Sequence, residues 1–106
     1  MTDVRVLLAR NMKRCRGILG LSQMKLAERV GCSTTLIGNI EVGKRFPSAE
    51  NLNKIADALE IPPSELFAED SKVIRQMASN EEVRERLEAN VLKAINKSLY
   101  PSGDEK

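Results

Sequence analysis

Apolar residues recur along this chain at helical spacing. Leu8, Met12, Cys15 and Leu19 form one stripe, which predicts a first helix over Val4–Leu19. Asp3 or Thr2 is its candidate N-cap, and Gly20 supplies the stop. Ser22 is set to cap a second helix whose inner side is Met24, Leu26, Ala27 and Val30. Gly31 permits the tight turn that follows, because the left-handed conformation costs glycine little. Ser33 caps a third helix that ends at Gly43. After the loop Lys44–Pro47, Ser48 caps a fourth helix, Ala49–Leu59, with the stripe Leu52, Ile55, Ala56 and Leu59. Ile61-Pro62-Pro63 breaks that helix and starts a short fifth one, Ser64–Phe67, which closes the core with Leu66 and Phe67. The expected fold is all-α: a compact five-helix bundle without strands, followed by a C-terminal helical extension.

Past Ala68 the pattern changes. Glu69-Asp70-Ser71 reads as a linker and Lys72–Ala78 as a short helical stretch. Ser79-Asn80-Glu81-Glu82 has the form of a capping box and opens a longer helix to about Leu99. Val83, Leu87, Val91, Ala94, Ile95 and Leu99 fall in one broad stripe, and Pro101-Ser102-Gly103 ends it. The chain thus divides into a bundle over 1–68 and a helical tail over 69–106 that frays after about residue 100.

The stretch Ser22–Gly43, SQMKLAERVGCSTTLIGNIEVG, is the most informative part. Its second helix divides lengthwise. At 100° per residue, Leu36, Ile37 and Ile40 fall on one side, and Thr34, Thr35, Gly38 and Asn39 fall on the other. An ordinary surface helix carries long Lys and Glu side chains on its outer face. Short, uncharged hydrogen-bonding side chains instead suit a groove of base edges. Two short helices about a tight turn, the second with such a face, make a helix-turn-helix directed at duplex DNA.

Specific residues extend this reading. Arg16, Leu21-Ser22-Gln23, Leu26-Ala27, Val30-Gly31, Ile37, Ile40-Glu41, Gly43-Lys44, Pro47-Ser48 and Ala58-Leu59 stand in the order and spacing of one known pattern. On them the chain resembles the Cro/repressor-like (Xre-type) helix-turn-helix family, over roughly sixty of its 106 residues. The resemblance implies base contacts from Thr34, Thr35, Gly38 and Asn39. Asn pairs bidentately with adenine and a Thr methyl packs on the thymine methyl, while Gly38 allows close approach at a cost of about 1 kcal/mol in helix propensity. It implies phosphate contacts from Ser22, Gln23, Ser33, Lys44 and Arg45, with Lys25 a further candidate. Plain N-capping is an equal reading of Ser22 and Ser33, and a solvated loop is the bland reading of Lys44 and Arg45. Arg16 and Glu41 are expected as a partly buried ion pair that orients the third helix. Two positions depart from the pattern. Lys25 replaces a Glu that would complete a capping box, and Val42 puts an apolar side chain on the DNA side.

The same resemblance implies a transcriptional regulator, a repressor acting as a homodimer on a roughly palindromic operator with half-sites about 34 Å apart. Dimer contacts in the family come from the end of the bundle or an appended helix. Val83, Leu87, Val91, Ile95 and Leu99 are therefore the dimerisation candidates, against the alternative that this helix folds back on its own bundle. A second reading is an antitoxin or anti-repressor component that grips a protein partner through the same helix.

Composition adds bounds. The net charge is +2, and residues 1–67 hold ten Lys/Arg against seven Asp/Glu while 68–106 hold seven against eight. That asymmetry favours DNA for the first part and protein for the second, although chance scatter explains so small a difference equally well. Two cysteines, Cys15 and Cys32, form no CxxC pair and read as buried reduced thiols. The chain has no histidine, so Ser-His and Cys-His nucleophile systems are excluded. There is also no glycine-rich phosphate loop and no metal-ligand cluster. The expectation is a non-enzyme without cofactor or metal. No run approaches the roughly 18 apolar residues of a membrane span, and no signal peptide opens the chain, which points to the cytoplasm.

Overall fold

The computed structural model describes residues 2–79. Its elements are α1 (Val4–Leu19), α2 (Gln23–Val30), α3 (Thr34–Glu41), α4 (Ala49–Ala58), a 3-10 helix (Pro63–Phe67) and α5 (Lys72–Ser79). No strand occurs among the described residues. Each of the first four helices begins at a short polar cap whose side chain accepts a first-turn N–H: Asp3 from Arg5, Ser22 from Lys25, Ser33 from Leu36 and Ser48 from Asn51. Those bonds satisfy donors that a helix start otherwise leaves open. Gly20 and Gly31 end α1 and α2 in the left-handed conformation, with φ of 69° and 83°.

Several boundaries differ from the sequence expectation. The third helix stops at Glu41, since Val42 leaves helical geometry and Gly43 turns to φ 79°. The fourth stops at Ala58, and the turn after it puts a non-glycine residue, Glu60, at φ 63°. The fifth begins one residue early, at Pro63, as a 3-10 turn. Met24 was expected on the inner side of α2 but is 60% exposed. It lies two residues before Leu26, about 200° round the helix, so it cannot share the buried face of Leu26, Ala27 and Val30.

The core is one cluster in which α1 contributes Leu8, Met12 and Cys15, α2 Leu26, α3 Ile37 and Ile40, and α4 Ile55 and Ala56. Leu66 closes it, and Ile74 of α5 joins it. The stretch expected as a linker is therefore packed against the bundle. Arg10 donates to the carbonyls of Ala68 and Glu69 at 3.0 and 2.7 Å, and the buried Asn11 amide donates to those of Leu66 and Ala68, both at 2.9 Å. Ser71 is itself buried; it caps α5 through Ile74 N and donates to Glu65 Oε1 at 2.7 Å. No helix among the described residues is long and apolar enough to cross a membrane. The expected capping box at 79–82 and its helix to Leu99, with Val83, Leu87, Val91, Ile95 and Leu99, lie outside the described residues apart from Ser79.

Candidate nucleic-acid interface

The orientation of α3 is fixed at its last turn. Glu41 is 3% exposed, and a buried carboxylate is tolerated only with partners. It has three donors. Arg16 from α1 grips it bidentately, Nε to Oε2 and Nη2 to Oε1, both at 2.9 Å. Gln23, in the first turn of α2, donates its Nε2 to Oε1 at 3.0 Å. Arg16 also donates Nη1 to the Leu21 carbonyl at 2.9 Å. One carboxylate thus clamps α1, the start of α2 and the end of α3.

With its inner side held by Ile37 and Ile40, α3 leaves Thr34 and Thr35 exposed and Asn39 half-buried. Gly38 occupies a different place from the open face read off the helical wheel. A Cβ built on it would lie 3.6 Å from Gln23 Oε1, so Gly38 sits at the seam with α2. The reason is its position three residues before Glu41, which gives the two a common face. The Asn39 carbonyl accepts from both Lys44 N and Arg45 N, at 2.9 and 3.2 Å. This bond pair holds the two exposed basic residues directly behind α3, and neither makes an ion pair among the described residues.

Hydrogen-bond donors gather at the helix starts. The Ser22 and Ser33 hydroxyls accept capping bonds from Lys25 N and Leu36 N, which leaves each O–H free to donate. The backbone N–H groups of Gln23 and Met24 have no intrahelical partner, and the helix dipole adds positive potential there. Lys25 lies 4.0 Å from Glu28 in an exposed pair. The Gln23 side chain, expected to be available to phosphate, commits one amide hydrogen to Glu41. Sequence reasoning missed that link, because a bond across eighteen positions between two polar residues leaves no periodic signal.

The cysteines are not equivalent. Cys15 is buried and its thiol is pushed up to about 11 by desolvation. Cys32 was expected to be buried too but is half-buried, since it lies in the turn between α2 and α3. Burial raises its thiol as well, and its Sγ donates to the Ser33 carbonyl at 3.6 Å.

Comparison with known proteins gives concordant matches. A family model described as a helix-turn-helix domain matches residues 9–71. The control protein C.MunI of a Mycoplasma species is 36% identical over 73 residues, covering 68% of this chain and 99% of that protein. The cryptic phage CTXphi transcriptional repressor RstR of Vibrio cholerae is 43% identical over 51 residues, which span 48% of this chain and only 46% of the repressor. Among solved structures, the restriction-modification controller protein C.AhdI from Aeromonas hydrophila superposes with a TM-score of 0.57 at 38% identity, over 59% of this chain and 96% of that one.

Proposed function

The chain belongs to the helix-turn-helix family, and from that membership we propose that it is a sequence-specific transcriptional regulator that binds double-stranded DNA. The observation that carries the reading is the clamp of Arg16 and Gln23 on Glu41, which fixes the short polar face of α3 relative to α1 and α2. In this mechanism α3 enters the major groove. Thr34 and Thr35 meet base edges through hydroxyl and methyl groups, and Asn39 pairs with adenine N6 and N7. Gly38 faces the seam between α3 and α2, where a Cβ would meet Gln23 at ordinary contact distance. On one side, Ser22 and the free N–H groups of the first turn of α2 hold a phosphate. On the other, Ser33 with Lys44 and Arg45 holds the opposite strand. These contacts set the register, and the α3 side chains supply the choice of sequence.

Repression by occupancy of a promoter, in the cytoplasm, is part of the proposal, and the repressor relative supports it. A homodimer on a roughly palindromic operator completes the proposal, with residues 80–99 as the dimerisation segment. The test is selection of binding sites from random duplex DNA with the full chain, followed by salt titration of the winner. A palindromic motif lost on Thr34→Ala, Thr35→Ala and Asn39→Ala supports the reading. Affinity should fall with salt at a log–log slope of about −0.9 per neutralised phosphate. Recovery of no motif overturns it.

A further inference from the structure

Between the first half of α1 and the end of α3 lies a depression of about 510 Å³. Its floor is apolar, formed by Val6, Ala9 and Val42, and its rim is basic, formed by Arg10 and Lys13 with Arg5 at the edge. Val6 and Val42 are 58% and 64% exposed, so two β-branched apolar side chains face outward with little packed against them. The one carboxylate on its lining, Glu41, is already held by Arg16 and Gln23, so the rim cations set the local charge.

The cations differ in availability. Arg10 is committed to the carbonyls of Ala68 and Glu69, and Arg5 to the carboxylate of Asp3. Lys13 is exposed and makes no ion pair among the described residues. The depression is also continuous with the DNA face. Its lining residue Glu41 is bonded to Gln23 at the start of α2, and Gly43, at its other end, is followed directly in the chain by Lys44 and Arg45. An apolar floor beside an exposed ammonium matches a sugar–phosphate strand, whose deoxyribose carbons pack on methyl groups while its phosphate takes the cation. We propose that this depression seats the DNA backbone beside the half-site, with Lys13 on a phosphate and Val42 against a deoxyribose. This rests on the DNA-binding reading above and extends its footprint along α1.

The test uses the full chain and its selected duplex. Lys13→Gln should lower the magnitude of the salt slope by about 0.9, the share of one phosphate. That corresponds to roughly eightfold weaker binding at 0.1 M salt if the contact is screened out at 1 M. The loss should be equal across base variants of the site, as for any backbone contact. Thermal unfolding should not move, because the residue is exposed and makes no ion pair among the described residues. Shortening the duplex from its ends should remove the same increment from the wild type and nothing further from Lys13→Gln. An unchanged slope with motif binding intact overturns this inference and leaves the DNA reading standing. A loss confined to certain base variants also overturns it, since Lys13 would then read bases. A change in sedimenting mass without a change in slope overturns it in favour of a second copy in the depression. Failure of the wild type to select any motif removes the DNA reading itself.

Discussion

Glu41→Ala removes the carboxylate on which Arg16 and Gln23 converge and leaves a guanidinium facing a void at the joint of three helices. Deleting one partner of a buried pair costs about 3–5 kcal/mol. Here the Glu41 side chain is 2% exposed and that of Arg16 is 20% exposed, so the orphaned cation can partly rehydrate. The lower end, about 3 kcal/mol, is therefore the expected loss. In a domain of this size each kcal/mol moves Tm by about 4–8 °C, so thermal unfolding followed by circular dichroism should fall by roughly 12–24 °C. DNA binding measured near the wild-type midpoint should vanish with the fold and return on cooling. Replacing both charges, Arg16→Met with Glu41→Leu, should recover much of the stability, because no buried ion is then left unpaired. A Glu41→Ala variant that melts within about 3 °C of the wild type yet binds no DNA would refute this reasoning. It would mean that the carboxylate acts in recognition itself.

Three further outcomes follow from local geometry. Gly38→Ala places its methyl at ordinary contact distance from Gln23, so it should stabilise α3 by about 0.5–1 kcal/mol in urea unfolding. Destabilisation would show that the seam has no room. The Asp3 carboxyl is held down to about 2, chiefly by its bonds from the Arg5 side chain and N–H. Its folded value lies below the ordinary 3.8, so the cap contributes fully above that value and its contribution is lost as pH falls toward 2. The difference in urea midpoint between wild type and Asp3→Ala should accordingly shrink between pH 5 and pH 2; a constant difference would refute the assignment. At pH 8 a disulfide reagent should modify Cys32 slowly and Cys15 only on unfolding, since Cys15 is buried with its thiol raised to about 11. Two fast equivalents from the native protein would contradict the packing.

Much of the fold was legible because it is written in local chemistry. Asp3, Ser22, Ser33 and Ser48 mark helix starts by a bond to an amide two or three residues on, and Gly20 and Gly31 mark ends by a conformation other residues resist. The buried stripe of α1 is legible for the same reason: a 3.6-residue period needs no knowledge of what it packs against. What was not legible depends on distant neighbours. Asn11 breaks the apolar stripe of α1, yet it is buried because carbonyls some 55 positions away need its amide hydrogens. Phe46 and Phe67 meet with ring centroids 6.2 Å apart, a pairing set by how the loop after α3 folds over the 3-10 turn. The wheel that grouped Gly38 with Asn39 was sound as geometry of one helix. It could not show that α2 crosses at that point, because the crossing depends on another segment. Glu60 turns at positive φ without a glycine to announce it.

The carbonyl clasp made by Arg10 and Asn11, with the Ser71 cap and Ile74 beneath it, fixes the end of the bundle to α1. The end of α5 therefore keeps a set bearing relative to the axis of α3. For a pair of such domains joined through the segment after Ser79, that bearing has a torsional meaning. Duplex DNA turns once in about 10–10.5 base pairs, so a stiff joint couples half-site spacing to rotational phase. Five base pairs inserted between half-sites would turn the second one to the far side of the helix, and ten would bring it back. The clasp would then set not only where the tail begins but which operator spacings a dimer accepts.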